Sequence, residues 1–180
     1  MVYIILGEGF EEIEAVAPCD ILRRGGVSVS FAAVGEQKAV TGSRGISLLA
    51  DILASEIVPS ADDTFVIPGG MGGVTSIKSN MAAMKLIATA AKSGASLAAI
   101  CAGPSVLAQL GLLKGRHITC YPGCEDMMDG AICDASSPTL VDGTLITGRA
   151  AGSAIEFGLK LLSNLKGEET ADRTRKMLVC

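Results

Sequence analysis

The chain has 180 residues, 49% of them hydrophobic and 19% charged, with a formal net charge of −4. This length suits one domain, residues 1–180, with a sizeable core, and the composition excludes a disordered chain. Six aromatic residues and the lack of a basic patch interleaved with them argue against nucleic acid as a partner. No apolar run approaches a membrane span, and Val2-Tyr3-Ile4-Ile5-Leu6 stops at Gly7-Glu8, too short for a signal peptide. A cytoplasmic protein without a membrane partner is therefore expected.

Short apolar strands alternate with amphipathic helices along the chain. Residues 2–6 read as a strand, 11–25 as a helix ending at Gly25-Gly26, and 27–34 as a second strand. Val40 and residues 45–49 flank a Gly-Ser-Arg-Gly turn and read as a hairpin added to the sheet. Residues 64–67 form a buried strand, followed by the glycine run at 69–73 and a helix from Asn80 to Lys92. The strand 96–100 leads through Cys101 into a helix beginning near Pro104. Strand-like runs at 118–120 and 131–133, a hairpin over 139–147, and helices at 151–164 and 167–177 complete the chain. Repeated strand-helix-strand units predict an α/β domain, a mostly parallel sheet with helices on both faces.

In such a sheet, ligands bind beyond the C-terminal ends of the strands. Three turns there are unusual: residues 7–14, the glycine run 69–73, and Cys101. The first resembles a dinucleotide fingerprint, but Glu12 stands where the last glycine belongs, and Glu11, Glu12 and Glu14 would repel a pyrophosphate. The second lacks the Lys-Ser/Thr ending of a phosphate loop, so no nucleotide cofactor is expected. The N–H groups of Gly69, Gly70 and Ala102 are suited to surround a substrate oxygen; a tight turn alone would also account for the glycines. Glu14 has Ala17, Pro18 and Ile21 at helical spacing and so lies along an apolar stripe, where a carboxyl is desolvated and its pKa rises. Periodicity leaves Glu11 open as well.

A buried strand running straight into a helix through Cys101 puts that thiol on a tight turn. The free N–H groups and positive end of the helix would favour its thiolate. A buried structural cysteine fits the same position. Cys19, Cys120 and Cys133 read as buried, Cys124 as a loop thiol able to resolve an oxidised Cys101, and Cys180 as a mobile terminus. Peroxide should modify Cys101 first. The scattered cysteines contain no CxxC pair, and His117 is the single histidine, so no metal site is expected.

The segments Glu11-Glu12-Ile13-Glu14, Pro68-Gly69-Gly70, Ala99-Ile100-Cys101-Ala102-Gly103-Pro104, and Thr147-Gly148-Arg149 leading to Gly152 and Glu156-Phe157 resemble the DJ-one/ThiJ/PfpI superfamily. The resemblance runs nearly end to end and is to the branch of the parkinsonism-associated protein deglycase and its bacterial relatives. It implies a flavodoxin-like (Rossmann-like) three-layer sandwich, a nucleophile elbow at Cys101, and a homodimer. It assigns Cys101 as nucleophile, Glu14 as the protonated carboxyl facing the thiolate, and the Gly70 and Ala102 N–H groups as donors to the substrate oxygen. Arg24 and Arg44 align with arginines near the site or the dimer interface.

Several relatives carry a histidine before a proline where this chain has Tyr121-Pro122. His117 lies four residues back, about 13 Å at ~3.3 Å per residue. A Cys-His-acid peptidase triad is therefore disfavoured, and Tyr121 reads as a pocket wall. The expected activity is that of a cofactor-free glyoxalase or deglycase, acting on methylglyoxal-type dicarbonyls or on early glycation adducts of amines, thiols or proteins. The alternatives are an oxidative-stress sensor or redox chaperone acting through oxidation of Cys101 and, more weakly, a peptidase or amidase.

Overall fold

The computed structural model describes every residue except Ala135. The chain begins with β1 (Val2–Leu6), α1 (Glu12–Arg24), β2 (Val29–Ala33), β3 (Ala39–Thr41), β4 (Ser47–Leu49) and β5 (Ile52–Leu53). It continues through β6 (Thr64–Ile67), α2 (Met71–Ser79), α3 (Met81–Ser93), β7 (Ser96–Ile100) and α4 (Pro104–Gln109). It ends with β8 (His117–Ile118), β9 (Ile132–Cys133), β10 (Thr139–Asp142), β11 (Leu145–Gly148), α5 (Ala154–Lys166) and α6 (Glu168–Leu178).

Seven strands make the main sheet in the order β10-β11-β7-β6-β1-β2-β5, all parallel except β10. Its inner strands, read outward from β2, follow the flavodoxin-like order, with the direction of winding reversing between β1 and β6. Because side chains alternate across a strand, each inner strand feeds two cores. Ile5, Phe65, Ile67, Leu97 and Ala99 meet Val74, Ile77, Leu86 and Ile87 of α2 and α3. Ile4, Leu6, Val66, Ala98 and Ile100 meet Ile21 and Leu22 of α1 and Phe157, Leu161 and Leu162 of α5. This is the three-layer sandwich. Where α1 and α5 cross, a β-carbon on Gly158 would stand 2.8 Å from Ile21 Cδ1 and 3.0 Å from Pro18 Cα, so only glycine permits this approach.

Two local expectations are corrected. The hairpin at 39–49 does not join the main sheet; β3 and β4 form a separate ribbon, and β5 supplies the edge. The reason is the buried Glu12 carboxylate on α1, which accepts from the N–H of Arg44 (2.6 Å) and Ile46 (3.4 Å) and from Ser43 Oγ (3.2 Å). These bonds draw the ribbon's turn over the end of the sheet. The glycine run is only partly a turn, since α2 begins at Met71. Gly72 and Gly73 let that helix pass the loop after β1: a β-carbon on Gly73 would lie 2.7 Å from Phe10 Cα. Among the described residues, no helix is long and apolar enough to cross a membrane.

Candidate active site

The end of β7 is built around one residue in an unusual conformation. Cys101 has φ 65, left-handed backbone that side chains with a β-carbon seldom adopt. Three bonds hold it there. Its N–H donates to Gly148 O on β11 (2.9 Å), its carbonyl accepts from Tyr121 N (3.0 Å), and Gly103 N donates to Ile100 O (2.8 Å) to close the turn. Gly103 must lack a side chain because a β-carbon would strike Ile67 O. The strain places the sulfur beyond the sheet edge, half-buried between the two cores.

The three glutamates separate by role. Glu11 caps α1, its Oε2 accepting from Glu14 N at 2.8 Å. Glu12 anchors the ribbon, and although burial works against its charge, the N–H groups of Arg44 and Ile46 hold its carboxyl below the usual range. Glu14, 1% exposed, points under the elbow. Its Oε2 accepts from Gly69 N at 2.8 Å. Its Oε1 is buried without a hydrogen-bond partner, and the carboxyl as a whole feels the Cys101 thiol and, more weakly, the Ala151 N–H. A β-carbon on Gly69 would lie 2.7 Å from Glu14 Oε2 and 2.8 Å from Cys101 Cβ, so the bare glycine is what allows the acid and the thiol to meet.

Burial pushes the Glu14 carboxyl up to about 7, with the Cys101 thiol and the Gly69 N–H opposing. The Cys101 thiol is itself pushed up to about 12, first by burial, then by the Glu14 charge and hydrogen bond, with the Ala102 and Gly70 N–H groups opposing. This overturns the expected depression of the thiol by a helix dipole. The helix after the elbow, α4, has only six residues, and burial of the thiol, with the Glu14 charge after it, outweighs it. Thiol and acid titrate as a pair. When the proton sits on Glu14, no charge opposes the thiolate and the carboxyl O–H can donate to it; when it sits on sulfur, the carboxylate blocks ionisation.

Above the pair lies a cavity of about 700 Å³, lined among others by Gly70, Ala102, Tyr121 and Arg44. Arg24 is not among its walls: it sits exposed near the end of α1, bonded to Asp20 at 2.6 Å. Exposed His117 does not line the cavity either. Sequence reasoning missed Ser43, Met71, Gly72 and the Ala150-Ala151-Gly152 segment as walls. Their only signal is position, small or loop residues beyond the sheet's C-terminal edge. Cys124 is half-buried and lines the cavity, while Cys133, expected to be buried, is also half-buried. Among the described residues, no group of three or more His, Cys, Asp or Glu is placed to hold a metal ion.

Residues 1–164 match the DJ-1/PfpI family. The chain belongs to this family. Drosophila melanogaster protein dj-1beta is 34% identical over 177 residues, covering 98% of this chain and 95% of its own. A Caenorhabditis elegans protein named as a glutathione-independent glyoxalase is 31% identical over 172 residues, covering 95% of this chain and 91% of its own. A crystal structure of a cysteine-to-alanine mutant of a DJ-1 superfamily protein from Salmonella typhimurium superposes with a TM-score of 0.92 at 30% identity, covering 99% and 97% of the two chains.

Proposed function

We propose that this DJ-1/PfpI protein is a cofactor-free glyoxalase or deglycase in which Cys101 is the nucleophile and Glu14 the proton shuttle. The observation that supports this most is the buried Glu14 carboxyl, its pKa pushed up by burial, against the Cys101 thiol at the floor of an open cavity. Glu14 takes the thiol proton, and the thiolate attacks the aldehyde carbon of methylglyoxal. The resulting oxyanion, beside the N–H groups of Gly70 and Ala102, receives the proton and becomes a hemithioacetal. Glu14 then moves the hydrogen of that carbon to the neighbouring one, while the hydroxyl proton passes to the neighbouring carbonyl oxygen, which leaves a thioester. Water hydrolyses the thioester, releasing lactate and the free thiol. The net reaction adds one water to methylglyoxal. An early glycation adduct presents the same carbonyl chemistry with an amine or thiol attached.

Exposed Ile13 and Val16 on α1, together with Ile46 and Leu49 on the ribbon tied to it, support a second copy of the chain as partner. Sedimentation should then report a dimer. The reading itself is tested by lactate formation from methylglyoxal without glutathione. Cys101→Ser should reduce lactate formation to the rate without protein. Oxidation of Cys101 without turnover by the wild type would instead support the sensor reading.

A further inference from the structure

The space around the elbow does not end at Tyr121. A groove of about 480 Å³ adjoins the catalytic cavity, shares Tyr121, Ala150 and Gly152 with it as walls, and reaches Arg149 and Ser153. The chemistry of Cys101 and Glu14 uses none of it. Pro122 and Pro138 stiffen its sides, because a proline ring fixes its own backbone. Arg149 is the one charged residue among its described walls, and it is half-buried. It follows Gly148, whose carbonyl accepts from the Cys101 N–H (2.9 Å), and its own N–H donates to Pro138 O (3.0 Å). Its backbone is thus fixed to the nucleophile on one side and to the groove wall on the other.

The Arg149 guanidinium has no carboxylate to hold. Arg23, Arg24, Arg116 and Arg175 each face one within 3.4 Å; among the described residues, Arg149 faces none. Glu156, the next acid along the chain, is taken by Arg175 in two bonds of 2.7 and 2.8 Å. Beside Arg149 in the groove stands Ser153, 8% exposed, at the start of α5. Its hydroxyl caps none of that helix's N–H groups. A half-buried cation, an enclosed hydroxyl and the first N–H groups of a 13-residue helix therefore stand at one groove with no acid among its walls.

We propose that this groove is a carboxylate subsite, in which Arg149 and Ser153 hold the acid end of a 2-oxoaldehyde whose aldehyde carbon lies at Cys101. The proposal rests on the Cys101–Glu14 reading for the reaction and adds the substrate class: acid-bearing 2-oxoaldehydes are preferred to neutral ones. The guanidinium donates two parallel N–H bonds to the carboxylate, and Ser153 Oγ donates a third. One cation matches the single charge of a carboxylate better than the double charge of a phosphate. The acid end is bound and released unchanged, so the chemistry at Cys101 is the same as for methylglyoxal.

Two measurements test this, one of turnover and one of binding. In the wild type, kcat/KM for 4,5-dioxopentanoate should exceed that for its methyl ester at least ~10-fold, the worth of one charge-assisted hydrogen bond. Arg149→Met should erase the preference, and Arg149→Lys should restore part of it, because the ammonium keeps the charge and loses the fork. The second measurement needs no turnover. 4-Oxopentanoate, which has the same acid end and no aldehyde, should slow alkylation of Cys101 by iodoacetamide, while its methyl ester at the same concentration should not. This protection should weaken at least ~10-fold in Arg149→Met and ~3-fold in Ser153→Ala, which gives up no helix cap. If methylglyoxal yielded no lactate while 4-oxopentanoate still protected Cys101 through Arg149, the reaction would fall and the subsite would stand. Equal turnover of acid and ester by an active wild type, or protection undiminished in both Arg149→Met and Ser153→Ala, would overturn the subsite.

Discussion

Cys101 and Cys120 are both thiols pushed up to about 12, chiefly by burial, yet they sit in opposite chemical situations. At the elbow, the neighbour that raises the thiol after burial is Glu14, whose own carboxyl stands at about 7 and can take the thiol's proton near neutrality. Just past β8, what raises Cys120 after burial is Cys133, Glu125 and Cys124, and the Cys133 thiol is itself raised by burial. A raised thiol is therefore not an inert one. What decides reactivity is whether the neighbour that suppresses the thiolate can also accept the proton. Cys101 should then react quickly at pH 7, and Cys120 slowly.

The strongest way to break this comparison is to remove the acceptor and keep its shape. Glu14→Gln should lower kcat/KM for methylglyoxal by ~10²–10⁴-fold, the usual worth of general acid-base assistance. Alkylation of Cys101 by iodoacetamide should not slow in parallel, because the amide carries no charge to oppose the thiolate. If both rates fell together, Glu14 would be positioning the thiol and not moving protons.

Stability sharpens the same point. The folded Glu14 carboxyl titrates at about 7 against 4.5 for a free one, so the folded state keeps a proton that the unfolded chain releases between those values. Its contribution is full below pH 4.5 and is lost as pH rises through 7, in all about 3 kcal/mol at ~1.36 kcal/mol per unit. Urea melts should show wild type losing about that much more than Glu14→Gln between these two pH values. Equal slopes would mean that Glu14 ionises freely in the fold.

Gly69 connects acid and thiol, and Gly69→Ala tests the connection. Its β-carbon would face Glu14 Oε2, Cys101 Cβ and, at 3.1 Å, Ala102 N, of which the last belongs to the strained turn and cannot retreat. A loss of ~1–3 kcal/mol in stability is expected from overpacking, with activity down at least ~10-fold. Gly35→Ala is the control, since its β-carbon would meet only Gln37 N, at 4.0 Å, and should cost under ~0.5 kcal/mol. A Gly69→Ala protein as active as wild type would show that thiol and acid need not touch.

The fold and the two central residues were legible because each writes a local pattern. Alternating apolar strands named the sheet, and the Ala17, Pro18 and Ile21 stripe placed Glu14 on the buried side of its helix. Long-range contacts left no such trace. Nothing in Glu12 announces that it will tether Arg44 and Ile46, so the hairpin was misplaced onto the sheet. The start of α2 inside the glycine run was hidden because Gly72 and Gly73, poor helix formers, are there for their clearance from Gly9 and Phe10. The direction of the Cys101 shift was misjudged for a related reason: a turn and a helix are visible in sequence, while the burial of the thiol, and after it the Glu14 charge brought from α1, are not.

The smallest expected effect concerns Tyr121, which separates the backbone of the elbow from its side chains. The link between this residue and Cys101 is a main-chain bond, Tyr121 N–H to Cys101 O at 3.0 Å, and it survives any change of side chain that leaves the backbone in place. The ring is half exposed at the cavity wall, where its hydroxyl can donate a hydrogen bond to a substrate. Tyr121→Phe keeps both ring and main-chain bond. It should cost no more than one neutral hydrogen bond to substrate, ~0.5–1.5 kcal/mol, or at most about a tenfold fall in kcat/KM. The pH-rate profile should keep its shape, because the Cys101–Glu14 pair sets it. A thousandfold drop with loss of an alkaline limb would make the tyrosine catalytic, and proton transfer would then have to be reassigned from the buried acid to the cavity wall.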